Sequence, residues 1–188
     1  MEDADLVRLC QNGDMAAFEQ LFRKYQKRVY GTALRMMSDK EDALDLTQEI
    51  FLKAYQNIHK LKSTSAFSTW LYRLAVNLCI DELRKRKRLA NIVPLEEAVS
   101  QADADTPEDY AISKDRERQV WEALNSLKEK ERAIIILRDM EGLSYKEIAE
   151  VFKCSLGRVK SRLHEARQSL KAILETETDL WAGLSSDG

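Results

Sequence analysis

Positively charged and polar side chains recur at helical spacing near the end of the chain, and their chemistry suits a DNA duplex. Residues 155–171 contain five Lys or Arg side chains against one acid, Glu165. Such cations neutralise phosphates, and an arginine can also donate two hydrogen bonds to one guanine. An ordinary amphipathic helix with a solvated basic face is the alternative interpretation. The residues that we expect to contact DNA here are Ser155, Arg158, Lys160, Ser161, Arg162, His164 and Arg167. Of these, Arg162 and Arg167 are expected to contact phosphate or else the other helix.

A helix-turn-helix is predicted to position these side chains. Ser144 and Glu147 have the spacing of a capping box, which begins a short helix, and Ser155 can cap a longer one. A basic second helix after a tight turn is typical of elements that lie in the major groove. The longer helix has an inward-facing apolar stripe at Val159, Leu163, Ala166, Leu170 and Ile173.

A second candidate site comes earlier, where a polar loop leads into an aromatic helix that ends in cations. The loop at residues 60–66 is followed by Phe67, Trp70 and Tyr72, and residues 84–88 read RKRKR. Separating base pairs requires a pocket for an extruded base and cations for the displaced backbone. Because the spacing of Trp70 is helical, packing in a core is the simpler role for that side chain.

Four helices are predicted in the first half of the chain. The first covers residues 4–11, the second begins at a cap on Asp14, and the fourth covers residues 66–88. Between them, Ser38 and Glu41 have capping-box spacing at the start of a third helix. The apolar positions of that third helix should face inward, and they are Ala43, Thr47, Ile50, Phe51, Ala54, Ile58 and Leu61.

The second half of the chain begins after a segment that looks like a linker. Residues 89–112 contain both prolines and six acids, without Lys or Arg and without a sustained period. Helices are predicted next at residues 116–127 and then through Met140, where Gly142 stops the second of them. That second helix should be capped by Ser126 together with Glu129.

The composition favours an all-α fold made of two small helical domains. The 188 residues are 44% hydrophobic and 33% charged, with only six glycines and two prolines to interrupt helices. The net charge of −2 conceals segregated acidic and basic surfaces, and local charge governs contact with DNA. The predicted parts are a first domain at 1–88, the acidic linker at 89–112, a second domain at 113–175, and an acidic tail at 176–188 that should fray.

Other functional classes lack their signatures in this sequence. Cys10, Cys79 and Cys154 lie far apart, and with only two histidines they offer no metal-ligand set. A phosphate-binding loop and a nucleophile with its base are also missing, so we expect no cofactor and no catalysis. Since no stretch approaches the roughly 20 apolar residues that span a bilayer, and no leader pattern is present, we expect a cytoplasmic protein without a membrane span.

The two candidate sites, in this order, resemble those of the extracytoplasmic-function sigma factors of bacterial RNA polymerase. Residues 43–58, ALDLTQEIFLKAYQNI, and residues 67–88, FSTWLYRLAVNLCIDELRKRKR, are similar to that family's promoter-melting and polymerase-binding domain. Residues 137–167, LRDMEGLSYKEIAEVFKCSLGRVKSRLHEAR, are similar to its second DNA-binding domain. The likeness covers nearly all of residues 4–174.

The resemblance implies a subunit that binds core RNA polymerase and directs promoter recognition and melting, for a stress regulon under an anti-sigma factor. The basic helix near the C-terminus would then contact the minus-35 element, and the linker would thread toward the RNA exit path. The implied contacts with polymerase, at the β′ clamp coiled coil and the β subunit, involve Asp42, Asp45, Gln48, Glu49 and Phe51. The implied contacts with the minus-10 element are Lys62, Ser63, Thr64, Ser65, Trp70, Arg73, Asn77, Arg84, Lys85 and Arg86.

Two positions depart from the family pattern, and one competing function stays open. Lys153 stands where the family often has Gly, so a non-glycine residue is expected at positive φ. Arg158 stands where many members have Thr, which bears on the bases that are recognised. The competing function is a stand-alone helix-turn-helix regulator, which would bind a palindromic site without polymerase.

Overall fold

The computed structural model describes residues 1–92 and 111–185, and it describes side chains at 1–64, 66–90 and 118–176. The secondary structure of these ranges is helical, which confirms the predicted all-α class. Short 3-10 turns lie at Ile58–Lys60 and Thr64–Ala66, and a wider π turn lies at Ile136–Met140. The helices are α1 (Asp3–Gln11), α2 (Met15–Met37), α3 (Lys40–Asn57), α4 (Phe67–Ile92), α5 (Ala111–Ser126), α6 (Glu129–Ile135), α7 (Tyr145–Phe152) and α8 (Leu156–Ser185).

Helices α1 to α4 pack around an apolar core of their own. Leu21, Ile50 and Phe67 are fully buried, at the positions where the apolar stripes of α2, α3 and α4 meet. The rings of Phe22 and Phe51 pack edge to face with their centroids 4.7 Å apart. Each fully buried side chain of this size stabilises the fold by roughly 1.5–3 kcal/mol relative to exposure.

The junction between α2 and α3 corrects one predicted cap. Ser38 is the C-cap of α2 rather than the N-cap of α3: its φ is 62°, and its backbone N–H donates to the Leu34 carbonyl. The side chain of Asp39 caps α3 by accepting a hydrogen bond from the Asp42 N–H at 2.9 Å. Because a left-handed residue closes one helix here, the residue after it is the one free to begin the next.

The cap predicted at Ser126 is also wrong. The hydroxyl of Ser126 donates back to the Glu122 carbonyl at 3.0 Å, and Lys128 is the N-cap of α6 without a side-chain cap. The helical path continues through the π turn to Met140 and ends beside Gly142, whose φ is 74°.

The predicted helix-turn-helix is confirmed in detail. Ser144 and Glu147 form both hydrogen bonds of the capping box, at 3.3 Å and 2.7 Å. Lys153 occupies the left-handed region with φ 49°, and Ser155 Oγ accepts a hydrogen bond from the Arg158 N–H at 3.3 Å. The predicted stripe of α8 faces inward, since Val159, Leu163 and Ala166 are buried and Leu170 and Ile173 are partly buried.

The ends of α4 and α8 extend beyond their predicted limits. Helix α4 continues to Ile92, four residues past the predicted end, and α5 begins at Ala111. Most of the predicted linker, residues 93–110, lies outside the described residues. The tail predicted to fray at 176–188 is helical as far as Ser185, so that expectation was wrong over the described part.

The two halves of the chain pack against each other through one shared apolar cluster. Met36 and Tyr72 from the first half belong to the same buried cluster as Leu124, Ile134 and Ile148 from the second. Helix α4 contacts both α6 and α7, which brings it against the first helix of the helix-turn-helix.

Candidate nucleic-acid interface

The outer face of α8 presents the predicted duplex-contacting residues near the start of the helix. Arg158, Lys160, Ser161 and His164 are exposed, on the side opposite the buried stripe. Among the described side chains, Arg158 and Lys160 form no ion pair, so both cations face solvent. The arrangement suits base and phosphate contacts by the first turns of a helix that enters a groove.

Three other predicted residues of this face have structural contacts as well. Arg167 pairs with Asp139 in the π turn, with the second nitrogen, Nε, 3.2 Å from the carboxylate, so it braces α8 against the preceding segment. Ser155 caps the helix through its side chain. Arg162 is partly exposed beside Arg84, where both line a cavity of about 310 Å³ between α4, α6 and α8.

Helix α4 and the loop before it contain the predicted strand-separating residues. Asn77 and Lys62 are exposed, and Arg73 and Thr64 are partly exposed. Ser63 in the same loop is exposed, and the side chain of Ser65 lies outside the described set. The predicted positions in the loop and on α4 are therefore wholly or partly open to solvent wherever their side chains are described.

Trp70 has a mixed position on that helix. Its ring packs beside Phe67, with the centroids 5.9 Å apart, and it lies partly buried against the core together with Leu74. Leu71 is fully buried. Packing against the core therefore accounts for part of the Trp70 side chain, and the remainder is exposed.

A glutamine that the sequence analysis overlooked fixes the start of the loop. The Gln11 side-chain amide donates to the carbonyl oxygens of Ile58 and Leu61, at 3.0 Å and 2.9 Å. These carbonyls flank the 3-10 turn before the polar loop, so α1 holds the loop in place. No local pattern indicates this contact, because the partners lie 47 and 50 residues apart in the chain.

The basic end of α4 is paired with acids. Arg86 forms a two-pronged contact with the Asp42 carboxylate and a further bond to Glu82 at 3.2 Å, while Lys85 lies 3.4 Å from Glu82. The bond from Arg86 holds the pKa of the Asp42 carboxyl below its usual range. A residue predicted for polymerase contact and one predicted for minus-10 contact are thus bonded to each other, whereas Arg84 is exposed.

The acidic side chains predicted for polymerase contact on α3 are exposed or partly exposed, but the predicted aromatic residue, Phe51, is buried. Asp45, Gln48 and Glu49 face solvent, and Glu49 pairs with Lys53 at 2.7 Å. Phe51, which was expected to contact polymerase, is only 4% exposed. Its ring belongs to the core beside Phe22, so a direct contact with a partner is wrong for this side chain.

Apolar side chains that the sequence analysis left unassigned lie on the same face of α3. Leu44, Leu52 and Tyr55 are 52%, 57% and 44% exposed. A turn of 100° per residue places them among the exposed acids of this helix. Exposed apolar patches with a polar rim are typical of protein-binding surfaces.

The part of the chain that the structure describes was searched for metal sites and for helices that could span a membrane. No cluster of three His, Cys, Asp or Glu side chains is arranged for a metal ion there. Burial raises the pKa of the Cys79 thiol to about 12, so this thiol stays protonated. Within the same residues, no helix is long and apolar enough to cross a membrane.

Comparison with known families gives two matches in the order of the two sites. Sigma-70 region 2 matches residues 21–89, and Sigma-70, region 4 matches residues 117–170. The first match contains α3, the polar loop and most of α4, and the second contains the helix-turn-helix. Both regions define a transcription initiation factor of the sigma-70 class.

Related proteins narrow the class. The ECF RNA polymerase sigma-E factor of Haemophilus influenzae is 37% identical over 182 residues, covering 91% of this chain and 94% of that protein. The ECF RNA polymerase sigma factor SigW of Bacillus subtilis is 34% identical, covering 89% of this chain and 94% of that one. The chain therefore belongs to the extracytoplasmic-function sigma factors, which excludes a stand-alone regulator.

Two solved structures have a similar fold. CnrH, in complex with the cytosolic domain of CnrY, has a TM-score of 0.70 at 23% identity, covering 93% of this chain and 97% of that chain. The sigma factor RpoE of Bartonella quintana, in complex with the anti-sigma factor NepR, has a TM-score of 0.64 at 26% identity, covering 84% and 96%.

Proposed function

We propose that this chain binds core RNA polymerase in the cytoplasm, directs it to promoters and helps to open them, without catalysis of its own. The observation that carries the proposal is the pair of sigma regions in one chain, each with its own exposed polar or basic surface. One surface suits duplex DNA and the other suits unpaired DNA. A polymerase bound to α3 would bring both to the same promoter.

Docking on polymerase would use the mixed face of α3. Asp45 and Glu49 would steer this face toward a basic surface, for which the β′ clamp coiled coil is our candidate, with further contacts to the β subunit. Leu44, Leu52 and Tyr55 would then lose their solvent exposure and contribute most of the binding free energy. Asp42 would contribute less to docking than Asp45 and Glu49, because its carboxylate already pairs with Arg86.

Recognition of the minus-35 element would use the exposed turns of α8. Arg158 is our candidate for a base contact because its guanidinium is exposed near the start of the helix. Lys160, and the partly exposed Arg162, would contact phosphates. Arg167 would act mainly by bracing the helix, since its guanidinium already pairs with Asp139.

Capture of an unpaired minus-10 base would use the surface formed by the loop and α4. Asn77 is our candidate for a hydrogen bond to that base, with the loop residues beside it. Lys62, Arg73 and Arg84 would hold the strand through its phosphates. Control by an anti-sigma factor is proposed from the RpoE–NepR complex, whose sigma factor has the same fold.

Run-off transcription tests the proposal. Purified core polymerase should start at a defined site on the promoter upstream of this gene only when the chain is added. Reversing charge with Asp45→Arg and Glu49→Arg should abolish co-purification with core polymerase, because steering and pairing are both lost. Glu175→Arg on α8, an exposed acid in a weak pair with Lys171, is the matched control and should bind normally.

Two results would contradict this function. One is run-off transcription that starts at the same site with and without the chain. The other is full binding of the doubly reversed variant to core polymerase, which would remove α3 as the docking surface. Circular dichroism should show unchanged helicity in every variant.

A further inference from the structure

The last side chain of α1 is bonded to the backbone from which the polar loop emerges. The amide nitrogen of Gln11, Nε2, donates to the carbonyl oxygens of Ile58 and Leu61 at 3.0 Å and 2.9 Å. An amide nitrogen has two hydrogens, so one side chain can satisfy both acceptors. The Ile58 carbonyl also accepts the Leu61 N–H at 3.1 Å. Gln11 therefore joins the residue that begins this 3-10 turn to the residue that ends it.

The far end of the loop is also connected to α1. Asp3, the first residue of α1, accepts hydrogen bonds from the Tyr25 hydroxyl and from Lys24 Nζ, the latter at 2.5 Å. The Tyr25 ring packs edge to face with the ring of Phe67, with the centroids 5.6 Å apart, and Phe67 directly follows the loop. In addition, α1 contacts both of the 3-10 turns that flank the loop. One short helix thus braces the loop on either side.

Helix α1 is itself fixed in the core. Leu6 and Val7 are buried in the same apolar cluster as Ile58 and Phe67. A supporting residue can hold a functional loop in one geometry only when packing holds the support as well. The buried stripe of α1 meets that condition for Gln11.

The bond to Leu61 acts at the point where the loop begins. The Leu61 carbonyl belongs to the planar peptide group that connects Leu61 to Lys62, so holding its oxygen fixes the orientation of that plane. Lys62 and Ser63 come next, between the two 3-10 turns, and both are exposed. The direction in which these two residues leave the turn therefore depends on the amide of Gln11.

We infer that Gln11 is a positioning residue for the minus-10 loop and sets how strongly the holoenzyme discriminates the captured base. This inference rests on the proposed function, in which the loop and Asn77 take up that base. Gln11 lies outside the matched sigma-70 region 2, which begins at residue 21. Its effect would be indirect: a loop that is already ordered loses less conformational entropy when a base binds.

The test measures a ratio of affinities, which does not depend on the folded fraction of a variant. Holoenzyme made with the full chain would bind single-stranded minus-10 oligonucleotides of the promoter upstream of this gene, either intact or with one abasic nucleotide at each position in turn. With the wild type, removal of the captured base should weaken binding by about tenfold. Gln11→Met, similar in length but without a donor, should reduce this penalty to about threefold or less, because the loop is no longer ordered in advance.

Two further variants make the test specific to the hydrogen bonds. Gln20→Met changes an exposed glutamine of α2 in the same way and should keep the wild-type penalty. Gln11→Lys retains donors for the two carbonyls and should retain most of the discrimination. A wild-type penalty in Gln11→Met, or a loss in Gln11→Lys as large as that in Gln11→Met, would overturn the inference.

A variant at the other end of α1 covers the case in which Gln11→Met does not assemble with core polymerase. Asp3→Ala removes the bonds to Tyr25 and Lys24 and leaves Gln11 in place, so it should lower the same penalty by a smaller factor. An unchanged penalty in Asp3→Ala would then overturn the inference. If the wild-type holoenzyme showed no penalty at any position, base capture itself, and with it that part of the proposed function, would be contradicted.

Discussion

The two surfaces that we propose for DNA contact differ in how their cations are held. On α8, Arg158 and Lys160 face solvent, already placed for contact. At the end of α4, Arg86 bonds to Asp42 and Glu82, and Lys87 pairs with Glu129 of the other half. The surface proposed for duplex DNA therefore has its cations exposed in the free chain. On the surface proposed for unpaired DNA, some cations would become available only after their ion pairs open.

The largest effect that separates the two surfaces is expected at Arg158. Arg158→Ala should cost about 1–3 kcal/mol in holoenzyme binding and should relax preference at a single base pair of the minus-35 element. Competition binding across promoters with single base changes measures both. Lys160→Ala is the comparison, because loss of a phosphate contact weakens all sequences alike and reduces the salt slope by about one. If Arg158→Ala instead weakened binding to all promoter variants equally, Arg158 would be a phosphate contact like Lys160.

The next effect concerns the other surface. Asn77→Ala should reduce open-complex formation by about tenfold while changing closed-complex binding much less, because a contact with an extruded base exists only after melting. Permanganate reactivity of unpaired thymines, measured beside closed-complex affinity, separates the two steps. Asp81→Ala, one turn further along α4 and also exposed, provides the control. Equal losses in both complexes would contradict base capture by Asn77.

The smallest effect is the acid dependence of the Asp42–Arg86 pair. Because the pKa of folded Asp42 is lowered, its contribution to stability is present above the ordinary aspartate pKa and is lost as pH falls through the folded value. Both side chains are partly exposed, at 25% and 43%, so the contribution is about 1 kcal/mol or less. Urea unfolding of wild type and Asp42→Asn should differ at about pH 7, and the difference should shrink as the pH falls through the lowered pKa of folded Asp42. An equal difference at both pH values would show that the pair does not titrate as described.

Local sequence patterns predicted the structure correctly at the Ser144 capping box and the α8 stripe, where the interacting residues are close together in the chain. The capping box of Ser144 and the stripe of α8 were predicted because their partners lie within one or two turns. The same reasoning failed at Ser38, where a serine serves a helix end instead of a helix start. Both roles satisfy a cap, and only the backbone φ distinguishes them.

Contacts between distant residues were beyond such patterns. Glu141 and Arg28 are separated by 113 residues, and Gln11 and Leu61 by 50. The residues next to Glu141 in the sequence do not indicate whether its carboxylate is buried or exposed. The burial of Phe51, placed by the sequence analysis both in the core and on the polymerase face, was likewise decided by packing with Phe22.

Lys153 has a consequence for how the turn before α8 can change. Its backbone is left-handed, which costs about 1–2 kcal/mol for a residue with a side chain, and a glycine would relieve that strain. The exposed ammonium group would be lost in the same change, and each positive charge beside a phosphate adds to affinity by counterion release. Replacing Lys153 with glycine would therefore raise the stability of the fold and lower its affinity for nucleic acid.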